Sequence, residues 1–274
     1  MLKYLFLGLS FTLTLSAEPL KVTAITYNIR NDNNNDKGVR DWGNRKDKVN
    51  GYLLKKKASI IGLQEVKHNQ LLDTQKALPD HQSIGVGRVD GKTAGEYSPI
   101  FYNSKIWKAD DKEQGTYWLS DTPEKPNSRT WGNYHTRICT WARLIHVETG
   151  KAVYVYNTHW DHQSQKAREN SAVLMLKKIR ARKHQDEPFL LMGDFNATTE
   201  NKAIKTLLAS GILTDPGTKQ FSTSSKWQAA LRPGLRIDHI FVSKDWKNAN
   251  VTVESNGDPD AASDHHPVVL SPAD

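Results

Sequence analysis

The sequence predicts an α/β sandwich, in which mixed β-sheets carry helices on their faces. Short apolar runs typical of buried strands are interspersed with segments of helical periodicity. Some neighbouring strands are separated by only a few turn residues, as between residues 136–147 and 152–157, so a strictly parallel sheet is not expected. The chain shows no internal repeat, linker or shift in composition, which predicts a single domain over residues 18–274.

The first 17 residues have the layout of a secretory signal peptide. Lys3 precedes an apolar stretch from Tyr4 to Leu15, which is followed by the small residues Ser16 and Ala17. The stretch is too short to span a bilayer, and no later segment is apolar and long enough to do so. We therefore expect an exported protein, either secreted or periplasmic, without a transmembrane segment.

The composition is that of an ordinary globular protein with a preference for anionic partners. Hydrophobic residues make up 37% of the 274 residues, which is too many for a disordered chain. The formal net charge is +8, and it falls to +7 if Lys3 is removed with the signal peptide. This moderate excess favours anionic ligands, although such an excess more often serves solubility. Cys139 is the only cysteine, so it cannot form an internal disulfide, and we expect it to be buried and inert.

Strands and helices are mixed in the first half of the chain. Residues 20–27 alternate between apolar and polar side chains, as in a strand, and the Asn- and Asp-rich residues 31–40 are typical of a loop. Val49, Leu53 and Leu54 recur at helical spacing opposite a lysine-rich face, which we interpret as solvated. The predicted strands cover residues 20–27, 59–63, 82–88, 98–102 and 115–119, and the predicted helices cover 44–57 and 69–78.

The second half of the chain contains the strongest predicted helix, residues 164–182. Ser164 can cap its first turn. The apolar residues of this helix are Ala167, Val173, Leu174, Leu176 and Ile179. The other predicted elements are strands at 136–147, 152–157, 189–192, 237–243, 251–254 and 268–270, a helix at 200–209, and loops at 121–134 and 215–234.

Polar side chains suited to catalysis follow or adjoin the predicted strands at six places. They are Asn28, Glu65, His159, Asp194 with Asn196, Asp238, and Asp264 with His265. Each has an ordinary structural explanation when it is taken alone; Asp194 and Asn196, for example, could merely form an Asx-type turn after their strand. If the strand edges converge, however, one cleft would hold four carboxylates, two carboxamides and two imidazoles.

Such a cluster suits hydrolysis of a phosphate ester with a hard divalent metal. Gathered carboxylates repel one another unless a cation lies among them, and oxygen ligands favour Mg²⁺ or Mn²⁺ over Zn²⁺. The metal would neutralise phosphoryl charge, a carboxylate would activate water, and His and Asn would stabilise the transition state. The sequence lacks G-x-x-x-x-G-K-[ST], G-x-G-x-x-G and G-x-S-x-G, which argues against nucleotide-cradling proteins of those types and against a serine esterase.

These motifs, in this order, resemble those of the endonuclease/exonuclease/phosphatase superfamily, which has the deoxyribonuclease I-like fold. The motifs that carry the resemblance are Thr26-Tyr27-Asn28, Leu63-Gln64-Glu65-Val66, Asn157-Thr158-His159, Gly193-Asp194-Phe195-Asn196, Arg236-Ile237-Asp238 and Ser263-Asp264-His265-His266-Pro267. The resemblance implies a four-layered α/β/β/α sandwich, with two packed mixed sheets flanked by helices and the site at one end. Residues 95–102 and 158–162 are most similar to an exported bacterial branch that is distantly similar to the deadenylases.

The resemblance also implies which residues bind the metal and the substrate. Glu65 is similar to the main metal ligand of the family. Asn28 and Asp264 would complete or orient the metal shell, and the implied ion is Mg²⁺ or Mn²⁺. Arg137 is similar to an arginine that contacts the substrate phosphate.

Five further residues match the catalytic positions of the family. Asp194 would position or deprotonate the attacking water, and Asn196 would hold a phosphoryl oxygen. His265 would contact the phosphate, oriented and charged by Asp238. His159 is similar to a second histidine on the phosphate side, which is present in some branches of the family.

The expected substrate is a phosphate ester, and the sequence leaves three functions open. We expect a nuclease, acting as an endonuclease or a 3'-5' exonuclease on RNA or DNA, so nucleic acid is a possible partner. The alternative is a phosphodiesterase or phosphatase acting on a small, lipid-linked or sugar-linked phosphate headgroup. A non-catalytic binding module is a remote third function, because it would have no chemical need for the whole set of polar residues. We expect a monomer.

Several aromatic residues near these motifs have two interpretations. His162 and His266 could support the site by hydrogen bonding, or could be surface or core residues. Trp118, Trp131 and Trp160 could stack on a base or a sugar, although tryptophan is more often a core residue than a ligand platform.

Overall fold

Two six-stranded sheets face each other at the centre of the protein. The computed structural model describes residues 20–217, 221–247 and 249–272, so the predicted signal peptide lies outside the described residues. The first sheet contains, in spatial order, β11 (Ala249–Val253), β12 (Val268–Pro272), β1 (Ala24–Asn28), β2 (Ile60–Gln64), β4 (Ile100–Asn103) and β3 (His81–Ile84). The second contains β5 (Trp107–Trp118), β6 (Ile138–His146), β7 (Ala152–His159), β8 (Phe189–Asp194), β10 (Asp238–Ser243) and β9 (Leu213–Thr214).

Four helices cover the outer faces of the two sheets, and three apolar clusters fill the spaces between the layers. The helices are α1 (Trp42–Lys56), α2 (His68–Ala77), α3 (Gln165–Arg180) and α4 (Lys202–Ala209). Helix α1 packs on the first sheet, and α3 and α4 pack on the second. The third cluster lies between the sheets and includes Ile60, Val155 and Met192. The predicted α/β/β/α sandwich is therefore confirmed.

The direction of the central strands determines which residues share an edge. Strands β1 and β2 are parallel, and so are β7 and β8. His159 is paired with Asp194 at the carboxyl ends of β7 and β8, and Asp238 is paired with Asp194 where the antiparallel strand β10 begins. Because parallel strands end at the same edge, the motifs that follow these strands in the sequence lie close together.

Several helix boundaries follow from capping side chains. The Asp41 carboxylate accepts a hydrogen bond from the Gly43 backbone at 2.8 Å, so α1 begins at Trp42, before the predicted residue 44. Ser164 caps α3 through the backbone N–H of Ala167 at 3.1 Å, as the sequence predicts. Leu54 and Val173, which the sequence places on apolar helix faces, are 49% and 59% exposed. Each of these two residues lies next to the row of buried side chains on its helix and not within that row.

The strand predictions differ from the structure mainly in length. Strand β5 begins at Trp107 and not near residue 115, because its ladder to β6 continues past a register shift between Ala109 and Gln114. The charged residues in this exposed stretch hide the alternation that marks a strand. Residues 85–88 are not in a strand; Arg88 instead pairs with Glu96 across a turn. The predicted loop 31–40 ends in a short 3₁₀ helix, Gly38–Arg40, and β9 was not predicted.

Two further predictions concern the state of Cys139 and the presence of a transmembrane segment. Cys139 is buried and free, as expected. Among the described residues, every helix falls short of the length and apolar character that crossing a membrane requires.

A polar contact joins the two sheets in the middle of the apolar cluster between them. The Asn157 side chain of β7 donates to the backbone oxygens of Leu63 and Pro99 at 2.9 and 2.8 Å. It accepts a hydrogen bond from the Gln64 side chain at 2.6 Å. Because buried polar groups are costly unless they are paired, this contact also fixes how the sheets align. Gly62 lies directly against it, since a Cβ there would be 2.8 Å from Asn157 and from Met192.

Replacing Gly62 with alanine should therefore destabilise the protein. The added methyl group would force the sheets apart or displace Asn157, at a cost of about 1–3 kcal/mol in the free energy of unfolding. Chemical denaturation would measure the change. Gly51→Ala is the matched control, because Gly51 lies in α1 with nothing within 4 Å of the added Cβ. That change should stabilise the protein by about 0.5–1 kcal/mol. Equal effects of the two substitutions would contradict the inferred crowding at Gly62.

Candidate active site

A cleft of about 300 Å³ opens at the edge where β1, β2, β7 and β8 end. Six of the residues predicted from the sequence line it, namely Glu65, Arg137, His159, Asp194, Asn196 and His265. Asn28 and Asp238 lie behind the lining and hydrogen-bond to it, and Asp264 makes an ion pair with Arg30, which also lines the cleft. The nine predicted positions, including Arg137, are thus brought to one edge of the fold.

Asn28 connects the carboxylates of the two sheets. Its side-chain N–H₂ donates to Glu65 Oε1 at 3.2 Å and to Asp194 Oδ2 at 3.0 Å. The side-chain oxygen Oδ1 of Asn28 accepts a hydrogen bond from the backbone N–H of Arg30 at 3.0 Å, and this bond determines which way the side-chain amide points. The amide nitrogen therefore faces the two carboxylates, and Asn28 orients both of them.

His265 forms the other side of the cleft, together with its own carboxylate partner. Its Nδ1 lies 2.9 Å from Asp238 Oδ2, and its Nε2 lies 3.8 Å from Asp194 Oδ2. Burial alone would lower the pKa of His265, but Asp238 and Asp194 outweigh burial and raise this pKa well above its usual value. His265 is therefore a mostly buried imidazolium held in place by a carboxylate. Such a group can donate to an anionic oxygen in the cleft.

Asp194 lies between two imidazoles and is suited to accept a proton. Its Oδ2 is 3.4 Å from His159 Nε2 and 3.8 Å from His265 Nε2. Burial, followed by the charge of Asp238, raises the pKa of Asp194 to about 7. Burial, with help from the charge of Arg137, lowers the pKa of His159 well below its usual value, so His159 is a neutral imidazole. A carboxylate with a pKa near neutrality is suited to general-base chemistry.

The turn after β8 combines a structural hydrogen bond with a buried carboxylate that lines the cleft. Asp194 Oδ1 accepts the backbone N–H of Asn196 at 2.9 Å, so the Asx-type turn considered for the sequence does form. The other oxygen, Oδ2, remains directed at the cleft. Gly193 has φ +150°, and a Cβ there would lie 2.0 Å from the Thr158 backbone oxygen, so only glycine fits. The structural and functional interpretations of this motif are therefore compatible.

Three residues around the cleft have backbones in the left-handed region that non-glycine residues rarely adopt. The φ angles are +58° at Arg30, +61° at Glu65 and +47° at Asn196. Such conformations cost roughly 1–3 kcal/mol each and concentrate at functional sites. Hydrogen bonds to the side chains of Asn28 and Asp194 hold two of them, Arg30 and Asn196, in place.

Glu65 and Asp264 are two carboxylates whose negative charges act on each other. Burial raises the pKa of Asp264, and the charge of Glu65 raises it further. Burial also works against the charged form of Glu65, but hydrogen bonds from Asn31 and Asn28 lower its pKa. Arg30 Nη1 lies 3.7 Å from Asp264 Oδ2 and offsets part of the negative charge. A divalent cation would relieve the remaining repulsion, and these oxygen donors fit a hard ion.

Among the described residues, one group of three possible metal ligands lies within 4.8 Å of one another. It consists of Asp194, Asp238 and His265 and includes neither Glu65 nor Asp264. His265 Nδ1 already forms a hydrogen bond with Asp238 Oδ2. This trio therefore resembles a hydrogen-bonded acid–imidazole pair next to a base more than it resembles a metal shell.

Four cleft residues were not predicted from the sequence: Arg30, Asn31, Glu96 and His135. Asn31 donates to Glu65 Oε2 through its backbone and its side chain, at 3.1 and 3.0 Å, and its side chain also donates to Glu96 Oε1 at 3.1 Å. No periodicity marks Asn31 within an Asn-rich loop. Glu96 lies in residues 95–102, which contribute to the family resemblance. That resemblance is the one feature of the sequence that indicates its position.

The structure separates the aromatic residues that had two interpretations. His162 lines the cleft, and its Nδ1 lies 3.4 Å from Arg137 Nη2. His266 is buried and is absent from the cleft lining. Trp118, Trp131 and Trp160 are all buried, so they are core residues and not stacking platforms.

Comparisons with known proteins agree with this geometry. A family model described as the endonuclease/exonuclease/phosphatase family matches residues 25–265. A protein of that family from Bacteroides vulgatus has a solved structure that is 32% identical, with a TM-score of 0.82 over 92% of this chain and 98% of the other. A mannosyl-6-phosphatase from Bacteroides thetaiotaomicron is also 32% identical, with a TM-score of 0.81 over 91% of this chain and 98% of that one.

A more distant structure shares the fold. The catalytic domain of human Nocturnin is 17% identical, with a TM-score of 0.69 over 91% of this chain and 92% of its own. No curated protein matches the sequence significantly. The family model covers most of the chain, and two relatives above 30% identity cover nearly all of it. The chain belongs to the endonuclease/exonuclease/phosphatase family, and is a phosphoester hydrolase by family.

Proposed function

We propose that the protein is a divalent-metal-dependent phosphatase that acts on a small, sugar-linked phosphate monoester. One observation carries this proposal: Asp194, His265 and Glu65 face a cleft of about 300 Å³. This volume is at the lower limit of small-molecule sites, and it suits a single phosphate with a compact leaving group. A relative at 32% identity is described as a mannosyl-6-phosphatase, which supports the same class of substrate.

The metal site of the proposed enzyme is the acidic part of the cleft. Glu65 and Asp264 would hold the ion, and Asn28 would keep the Glu65 carboxylate oriented through its 3.2 Å hydrogen bond. When bound, Mg²⁺ or Mn²⁺ would neutralise phosphoryl charge and make the phosphorus more electrophilic. Asn31 holds the second oxygen of Glu65 and thereby limits how that ligand can rotate.

The remaining residues would position the phosphate and the attacking water. Asp194 would accept a proton from water as the new P–O bond forms and the bond to the leaving oxygen breaks. The leaving oxygen takes up a proton from solvent, and Asp194 releases its proton to solvent afterwards, so the reaction yields an alcohol and inorganic phosphate. His265, charged and fixed by Asp238, would donate to a phosphoryl oxygen.

Asn196 and Arg137 each have an N–H group that could donate a hydrogen bond to the same phosphate. Asn196 Nδ2 donates one hydrogen to the Trp160 backbone oxygen at 3.1 Å, which leaves its second hydrogen for a phosphoryl oxygen. Arg137 is buried at the cleft, and within the described part of the chain its Nε lacks a hydrogen-bond partner. His159 lines the same cleft, and its neutral ring can donate or accept a hydrogen bond.

A nuclease is the second candidate, favoured by the positive net charge and by Arg30 and Arg137 in the cleft. Phosphodiesters of RNA or DNA would then be the substrates. A non-catalytic binding module is disfavoured, because burying Asp194 and Asp238 beside the charged His265 costs stability without benefit to simple binding. The layout of residues 1–17 supports export of the mature chain.

A panel of esters distinguishes the two candidates. With Mg²⁺, we expect hydrolysis of p-nitrophenyl phosphate and mannose 6-phosphate to exceed that of bis-p-nitrophenyl phosphate at least tenfold in kcat/KM, about 1.4 kcal/mol. Release of p-nitrophenol and of inorganic phosphate measures the rates. Preferred cleavage of the diester, or of single-stranded RNA or DNA, would instead establish the nuclease.

Removal of metal should abolish activity, and adding Mg²⁺ or Mn²⁺ should restore it. Binding of the ion should also raise Tm by roughly 2–8 °C at saturating Mg²⁺, since ligand binding stabilises the folded state. Glu65→Gln should lose most of this shift, because one of the charged ligands is neutralised. An unchanged shift in the folded variant would show that the ion binds elsewhere.

Removing the His265 side chain should lower kcat by more than about a hundredfold, since a charged donor to the phosphate is lost. His184→Ala is the matched control, because His184 lies beyond the end of α3 and before the start of β8, remote from the carboxyl edge. Steady-state kinetics with p-nitrophenyl phosphate measures both variants. A folded His265→Ala protein with near-normal turnover would overturn the assignment.

A further inference from the structure

Three packed aromatic rings form a wall beside the cleft, and two of them, His135 and His162, line it. The proposed mechanism does not use this wall. The wall consists of Tyr134, His135 and His162. The two imidazoles are stacked, with centroids 5.8 Å apart and planes inclined by 25°. The Tyr134 ring lies edge-on to both, at 4.6 Å from His135 and 5.9 Å from His162. Tyr134 is 57% exposed, so its ring is open to solvent beside the two histidines that line the cleft.

The backbone holds this wall firmly in place. The buried carboxylate of Asp161 accepts the N–H groups of Tyr134 and His135 at 3.1 and 3.4 Å. The same carboxylate accepts the backbone N–H of Ser164, the cap of α3, at 2.7 Å. Arg129 donates to the Tyr134 backbone oxygen at 2.9 Å. The exposed ring is therefore attached to a rigid helix start, so placing it costs little conformational entropy on binding.

The wall begins where the phosphate-contacting residues end. His162 Nδ1 lies 3.4 Å from Arg137 Nη2, and Arg137 and His159 line the cleft next to it. Moving outward from Asp194, the order is thus His159, then Arg137 with His162, and then His135 with Tyr134. A group attached to a phosphate held at Asp194 would extend along this wall.

Glu96 provides hydrogen-bonding capacity in the same cleft. It lines the cleft with His135 and His162, and Arg88 Nη1 holds its Oε2 at 2.6 Å. Asn31 donates to its Oε1 at 3.1 Å, so the carboxylate is fixed in orientation. Each oxygen of an ionised carboxylate can accept more than one hydrogen bond, so hydroxyl groups of a ligand can still bind.

We propose that Tyr134, His135 and His162 form the leaving-group subsite, and that it takes the pyranose ring of a hexose phosphate. This inference rests on the proposed function and names the residues that select its substrate. A pyranose has one face of C–H groups, which packs on flat rings, and a rim of hydroxyl groups, which a carboxylate such as Glu96 binds.

The charge state of the wall suits a neutral sugar. Burial, with the nearby charges of Arg88 and Arg137, lowers the pKa of His135 to about 4. Its ring is therefore uncharged above about pH 5, and it presents an apolar face. A purine base would also stack on such rings, although it carries no hydroxyl groups of its own. The ribose of a nucleoside monophosphate does carry them, so this class of ester is a competing outcome of the test.

The experiment measures kcat/KM for three phosphate monoesters with the wild-type protein and with the variants Tyr134→Ala and Tyr134→Phe. Mannose 6-phosphate carries the ring, AMP carries a base, and glycerol 1-phosphate carries neither. We expect Tyr134→Ala to lower the ratio of kcat/KM for mannose 6-phosphate over glycerol 1-phosphate about tenfold. Tyr134→Phe should keep this ratio within about twofold, since the ring remains. Val173→Ala, an exposed change on α3, is the control and should leave the ratio at its wild-type value.

The outcomes separate this inference from the function on which it rests. If wild-type protein hydrolyses none of the three esters with Mg²⁺ or Mn²⁺, the proposed function itself fails. If it hydrolyses them but Tyr134→Ala leaves the sugar ratio unchanged, the subsite assignment fails and the function stands. A loss confined to AMP would overturn the choice of a sugar in favour of a nucleotide. Thermal melting of each variant confirms that the differences arise in folded protein.

Discussion

The hydrogen bonds of Asn28 are the interaction on which the site depends. One amide group holds Glu65 of the first sheet and Asp194 of the second, at 3.2 and 3.0 Å. The two sheets meet mainly through apolar side chains, and such contacts set a distance but not an orientation. The polar contacts at Asn28 and Asn157 supply the orientation. As a result, the edges that carry the carboxylates face each other across one cleft.

The site is costly to maintain. Asp194, Asp238 and His159 are buried, and three residues around the cleft have left-handed backbones. Each carboxylate in this region is matched by a partner: Asp238 by His265, Glu65 by two asparagines, and Asp194 by Asn28 and its own turn. The rest of the fold provides the stability for this, through three apolar clusters between four layers. Rigid support of this kind is what a preorganised catalytic site requires.

Much of the fold and the site could be predicted from the sequence, because polar residues at strand ends are a local pattern. Asp194 follows an apolar run and Glu65 follows another, so their positions at an edge could be deduced without a structure. Asn31, Glu96 and His135 could not, since they lie in loops whose course depends on distant partners. The first half of β5 could not be predicted either. Its charged residues hide the alternation of a strand, and the strand forms because it pairs with β6. Leu54 and Val173 show that apolar residues beside a helix stripe need not be buried.

The sequence by itself determined the fold class, the family and the chemical character of the site, because periodicity and strand-end motifs are properties of neighbouring residues. Only the tertiary structure decided which of these residues meet, which oxygen of Asp194 faces the cleft and which completes its turn, and how much space remains in front of them. It also decided that Trp118, Trp131 and Trp160 are buried in the core and that Tyr134 packs edge-on against His135 and His162. These features depend on contacts between residues far apart in the chain, which a local pattern does not encode.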